Sequence, residues 1–179
     1  MTPAKSSARV VGALTAGLLA LGMLAACTPP PEPEPTKTAL FASDEEAFEA
    51  AEETYRAYTD AVNAADLSEP ESIEPVYDWL EDPAEAASRK NYSTYYAENV
   101  SRSGVTRFDT FTPISFDDGI VTVRLCADAS DVDLLDAGGK SVVPEEREAR
   151  QPLEIEMTEG QTPTGLVIRS NVIARDFPC

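Results

Sequence analysis

The chain has 179 residues, 32 of them acidic against 14 basic, and a formal net charge of −18. So acidic a surface lacks the basic footprint that nucleic acid requires, and it is repelled by anionic lipid head groups. Histidine is absent, which removes Ser-His-Asp and Cys-His catalysis, histidine metal sites and the usual proton shuttle near neutral pH.

The first stretch reads in three parts. Lys5 and Arg9 give a basic start with no acidic residue. Val10 to Leu24 is apolar, interrupted by Gly12, Gly17 and Gly22. Leu24-Ala25-Ala26 then leads into Cys27. A spanning helix needs about 20 apolar residues, more than Val10 to Ala26 supply. The glycines also lack the Gly-x-x-x-Gly spacing of a packing face. An ordinary cleaved secretory signal is the remaining alternative. The Leu-Ala-Ala-Cys box resembles the signal of bacterial lipoproteins. That resemblance implies cleavage after Ala26 and a diacylglyceryl thioether on Cys27, of the palmitate-bearing kind. Two acyl chains hold stably where one holds marginally, each buried methylene contributing about 0.8 kcal/mol. The expected layout is a signal peptide over residues 1–26, a lipidated cysteine and proline-rich linker over 27–39, and a folded domain over 40–179. The domain would sit on the extracytoplasmic face of the cell membrane. The leader carries the two cations Lys5 and Arg9, so the mature chain falls from −18 to about −20.

With Cys27 lipidated, Cys126 and Cys179 remain. Two cysteines in an exported domain read as one disulfide. A free pair or a metal site is the weaker alternative, since neither histidine nor a second cysteine pair supplies further soft ligands. The bridge would close a loop of about 50 residues and stabilise by about 4 kcal/mol in the chain-entropy model.

In chain order, Thr28 to Thr38 reads TPPPEPEPTKT, an extended polyproline-like stalk rising about 3 Å per residue. Ser43 and Glu46 make a capping box, and Asp44, Glu45 and Glu46 place negative charge at a helix N-terminus. Phe48, Ala51, Tyr55, Tyr58, Val62 and Ala65 then recur at spacings of three and four, one face of a helix. Glu52 and Arg56 pair on the other side. After Pro70, residues Ile73 to Leu80 predict a second helix, with Trp79 close by. Asp82 as cap and Pro83 at the first position predict a third, running through Tyr92, Tyr95 and Tyr96 to about Val100, with Arg102 to Gly104 as its stop. From Val105 the period changes to two. Strands are predicted over Val105–Phe116, Ile120–Asp128, Val132–Leu135, Ser141–Val143, a segment through Leu153, Ile155 and Met157, and Leu166–Ala174, with tight turns at Asp117-Asp118-Gly119 and Asp136 to Gly139. Helices first and antiparallel strands after argue an α+β fold with the helices on one face of the sheet.

This order resembles the NTF2-like cone. The run Val-Thr-Val-Arg-Leu-Cys-Ala-Asp from Val121 to Asp128, then Ser130, Asp131 and Val132, the Asp136 turn and the terminal Cys179, resemble the small secreted lipoproteins of actinobacteria within that superfamily. Gly165-Leu166 stands where a tryptophan often opens the late strands. The resemblance implies N-terminal helices packed in a curved antiparallel sheet, and a bridge from Cys126 to Cys179. Superfamily members include dehydratases, isomerases and polyketide cyclases, alongside many domains that only bind or scaffold. Family enzymes set an Asp base beside Tyr or protonated Asp donors in the cone. Tyr55, Tyr58, Trp79, Tyr95 and Asp109 are the candidates for such a lining.

No spacing in the sequence brings an acid beside a tyrosine. The expected role is therefore a non-enzymatic binding or interaction module of the cell envelope, with an envelope protein or a small apolar molecule as partner. The alternative is a small isomerase- or dehydratase-like enzyme using Asp and Tyr. No cofactor is expected. Asp128, Asp131, Asp133 and Asp136 lack the spacing of a calcium loop and read as turn-forming residues, so no metal is expected either.

Overall fold

In the computed structural model, which describes residues 40–179, Ser43 opens the first helix. The signal segment, Cys27 and the proline-rich stretch lie outside the described residues. Helix α1 spans Asp44–Ala64. The Ser43 hydroxyl accepts from the Glu46 amide at 3.2 Å, and the Glu46 carboxylate accepts from the Ala42 amide at 2.8 Å. The box is reciprocal as predicted, but Glu46 reaches one residue further back than the cap itself. The fully buried line of α1 is Ala47, Ala51, Thr54, Tyr55 and Thr59. Phe48, Tyr58 and Val62 flank it, half-buried. The helix is thus rotated from the face that the large side chains marked. Small residues at its centre let it approach closely. Thr54 and Thr59 donate back to the carbonyls of Ala50 and Tyr55 at 2.7 and 2.8 Å, which satisfies their buried hydroxyls.

A 3-10 turn at Pro70–Ser72 leads into α2, only Glu74–Tyr77, with Pro75 in its first turn. Leu80 lies beyond the helix and forms a parallel bridge with Ile168. Helix α3 is Ala84–Ala97; Pro83 flanks it and no side chain caps it. The predicted Asp82 cap is therefore not made.

Where the sequence marks only a helix stop, the chain builds a strand. Asn99 turns into the left-handed region (φ 55) and strand β1, Ser101–Ser103, follows. Gly104 then comes so close to the Asp131 carbonyl that an added Cβ would lie 1.8 Å from its oxygen. That approach docks β1 antiparallel on β4, Asp133–Leu135.

The main sheet comprises β2 (Arg107–Asp117), β3 (Ile120–Asp128), β5 (Arg150–Glu159) and β6 (Leu166–Ile173), antiparallel in the order β2-β3-β5-β6. Asp118 and Gly119, at φ 49 and 79, form the two-residue β2–β3 hairpin turn, whose twist suits right-handed strands. The predicted strand at Ser141–Val143 is reduced to a bridge between Leu135 and Ser141. Register slips in β2 near Thr110 and in β6 near Arg169 interrupt the ladders. Such bulges bend strands and curve this sheet around the helices.

On the inner face Val121, Val123 and Leu125 of β3 stand opposite Met157, Ile155 and Leu153 of β5. With Ile168, Leu166 and the α1 residues Ala47, Ala51 and Tyr55 they form the core. On the outer face Arg124 bridges Glu154 at 2.8 Å and Asp176 at 3.1 Å. Beside it Cys126 is bonded to Cys179, their Cα atoms 5.7 Å apart. Among the described residues no helix is long and apolar enough to cross a membrane.

If the bridge forms as the geometry places it, intact mass should rise by two hydrogens on reduction. The double variant Cys126→Ala, Cys179→Ala should lose about 4 kcal/mol in urea unfolding. Two free thiols in the native protein would contradict the bridge.

Candidate functional site

A cavity of about 490 Å³ opens between the helices and one side of the sheet, within the range of small-molecule sites. Each wall follows from local structure. Helix α1 presents Tyr58 and Val62, one turn apart, from the flank of its buried line. Helix α3 presents Ala84, Ala87, Ser88, Asn91, Tyr92 and Tyr95, a stripe at spacings of three and four. It has no fully buried residue; Ala84 and Tyr92 touch the edge of the core, and the stripe lines the cavity. The floor is Leu80 and the half of β6 around Ser170 and Val172; Val132, Leu134 and Arg102 close the far side.

Most of these surfaces are apolar or aromatic. Burial raises the Tyr58 phenol above its ordinary value. Tyr92 is also raised, first by burial and then by neighbouring Tyr58, against the opposing pull of Arg102. A phenol is protonated at neutral pH with or without such a shift, so both carry an O–H that can donate. Arg102 is half-buried, and loss of water lowers its guanidinium from the usual range. It donates to the Val62 carbonyl, the Asn63 side-chain oxygen and the Thr106 hydroxyl, each at 3.0 Å. Asn63 in turn accepts from the Thr106 amide at 2.9 Å. This network ties the end of α1 to the start of the sheet and holds the arginine at the cavity wall.

Of the five residues that the sequence offered as a lining, the structure brings two, Tyr58 and Tyr95, to the cavity. Tyr55 belongs to the core: it is 3% exposed and packs edge-on against Phe108 at 5.0 Å. Trp79 contributes its main chain, the carbonyl accepting from Ile168 at 2.8 Å; its ring is not part of the lining. Asp109 stands exposed on β2, gripped by Arg150 through two bonds of 2.9 and 2.6 Å. Those bonds, with one from Thr110, hold its carboxyl below the ordinary range. Among the described residues none that line the cavity is an Asp or Glu. The Asp-beside-Tyr pair of the family enzymes is thus not assembled there.

The four aspartates of the late turns are spent locally. Asp128 accepts from the Ser130 amide, Asp131 pairs with Arg107, Asp133 accepts from Ser141, and Asp136 accepts from the amides of Gly138 and Lys140. Among the described residues no three acidic, cysteine or histidine side chains gather in a metal-holding group. Tyr92 and Arg102 were not among the candidates. Tyr92 shares a helix face with Tyr95, a signal the spacing carried. Arg102 sat in the segment read as a helix stop, and nothing local marks it as a wall.

No protein-family model matches the chain, and no curated protein does. Solved structures do. One from Novosphingobium aromaticivorans, which bears the name aromatic ring hydroxylase, is 15% identical over 71% of this chain and 87% of its own, with a TM-score of 0.50. One from Catenulispora acidiphila, in complex with S-DNPA, is 14% identical over 72% and 92%, TM-score 0.47. Aln2 from a Streptomyces species is 17% identical over 73% and 91%, TM-score 0.42. At such identities the likeness establishes the fold alone: three helices against a curved antiparallel sheet, NTF2-like.

Asp109 tests whether the outer pair matters to the cavity. Its carboxyl is depressed in the fold, so it stabilises above the unfolded value of about 3.9 and loses that contribution as pH falls through the folded one. Asp109→Asn should lower the urea midpoint slightly at pH 7, and the difference should vanish in strong acid. Occupancy of the cavity by any probe should be unchanged. Lost occupancy at unchanged stability would place Asp109 in the site.

Proposed function

We propose that this protein is a lipid-anchored, extracytoplasmic binding module of the cell envelope whose NTF2-like domain takes a small apolar molecule. The cavity between α1, α3 and β6 carries the proposal. It is large enough for a small ligand, walled by aliphatic and aromatic side chains, and supplied with a few oriented donors, the usual make-up of a ligand site. The anchor rests on the Leu24-Ala25-Ala26-Cys27 box and the basic-then-apolar segment before it. An oxidising compartment suits the Cys126–Cys179 bridge. The strongly acidic domain gains nothing from an anionic bilayer surface, so the acyl chains would hold it there unaided.

The Asp-and-Tyr enzyme alternative has less support. Its acid, Asp109, is bound to Arg150 outside the cavity lining, and a general base must come within hydrogen-bond reach of the proton it takes.

Two measurements test the proposal. The wild-type chain expressed in its host should partition with membranes and label with palmitate. Cys27→Ala should remain unprocessed; a cleaved, membrane-retained Cys27→Ala form would reject the anchor. Purified full-length protein should enhance the fluorescence of N-phenylnaphthylamine, an uncharged apolar probe. Ala87→Trp, at an exposed position of the lining, should abolish that signal without lowering the melting temperature. No binding by wild type, or binding indifferent to Ala87→Trp, would reject the cavity as the site.

A further inference from the structure

Acids outnumber bases 32 to 14 in this chain, yet the cavity reverses that balance. Arg102 and Arg169 line it and no carboxylate does, among the described residues. Arg56, Arg107 and Arg150 each meet a carboxylate at 2.6 to 2.7 Å. Among the described residues neither Arg102 nor Arg169 takes part in such a pair. Arg102 is the telling case because it is half-buried. All three of its acceptors are neutral: a carbonyl, an amide oxygen and a hydroxyl. A cation partly withdrawn from water with only neutral acceptors keeps its full charge uncompensated, and a charge so placed attracts an anion more strongly than one in bulk water. Three bonds hold two of its nitrogens, leaving further N–H groups of the guanidinium to donate. Tyr92 and Tyr58, on the same lining, offer phenol O–H groups that can donate.

We infer that the molecule held in this cavity is a small apolar organic anion, its single carboxylate or sulfonate head on Arg102 and its apolar body against Tyr58, Tyr92 and Leu134. The inference rests on the cavity being a binding site, as proposed above. The surrounding field sharpens the class. The domain as a whole repels anions, but exposed charges are screened beyond about 8 Å at physiological salt. A compact monoanion is therefore drawn at short range by Arg102, while a polyphosphate or nucleic acid meets the repulsion of the whole surface. Arg169, exposed at the β6 bulge, adds a second positive charge to the lining.

The test compares two probes with one aromatic skeleton: neutral N-phenylnaphthylamine and its charged analogue anilinonaphthalene sulfonate. Both are titrated into full-length protein in a nonionic detergent at about 0.15 M salt, with Ala87→Trp in the same detergent subtracting micelle uptake. The sulfonate should bind about tenfold tighter than the neutral amine, as a charge-assisted contact requires. Arg102→Gln should erase that advantage and leave the neutral probe's affinity in place, Arg102→Lys should keep part of it, and Arg169→Gln should reduce it by a smaller factor. Equal affinities in the wild type, or an advantage that survives both glutamine variants, would overturn the charge preference and leave the cavity reading standing. Binding of neither probe would overturn the cavity reading itself. Should Arg102→Gln fail to fold, the ratio measured in the wild type, together with Arg169→Gln, still decides the matter.

Discussion

The pairing of β3 with β5 is the constraint on which the rest of the structure depends. Their register sets Val121, Val123 and Leu125 opposite Met157, Ile155 and Leu153 on one face, and Arg124 opposite Glu154 on the other, where the two form an ion pair. A slip of β5 by one residue would turn its three apolar side chains out to water and bring Glu154 into the core in their place. At about 25 cal/mol per Å² of apolar surface, that misregistration is far outside anything the fold could absorb. The same register turns Cys126 to the outer face, where the end of the chain arrives to bond it. Core, surface pair and bridge are three readings of one alignment.

The cavity follows from how differently two helices meet that sheet. Alanines at positions 47 and 51 let α1 settle close, with no exposure at either. Helix α3 has no such line; it presents tyrosines, and all of its residues keep some exposure. The ring of Tyr77 on α2, set edge-on to Tyr92, braces the helix without filling the space beneath it. Aromatic pairs of this geometry are favourable in themselves, so the opening can persist without collapse of α3 onto β6. The short β1–β4 ribbon then walls the side that α3 leaves open, with Arg102 fixed upon it by the end of α1.

Much of this architecture was legible in the sequence, because period and turn chemistry are local. The capping box at Ser43, the alternation from Val121 to Leu125 and the Asp118-Gly119 turn each carry their instruction within a few residues. What stayed hidden was set by distance along the chain. Nothing near Ser101 says that it will find Leu135; the strand exists because Gly104 has no Cβ to strike the Asp131 carbonyl. Asp109 looked like a cone acid until Arg150, 41 positions on, claimed it. Tyr55 and Tyr58 are indistinguishable by helical spacing, but the rotation of α1 set by its small residues sends one into the core and leaves the other at the cavity. The identity of a wall residue depends on which partners reach it first, and that information is not local.

The disulfide ties the last residue back to Cys126 across 53 positions, which gives the domain an unequal response to being pulled. Tension applied through its two ends reaches β4, β5 and β6 only by breaking a covalent bond. Stretching can unravel the helices and the first strands, yet the later half stays a closed ring of fixed length. A domain held at its front by a tether and tugged at its rear would give way from the helical side, and the walls supplied by α1 and α3 would part before the sheet did.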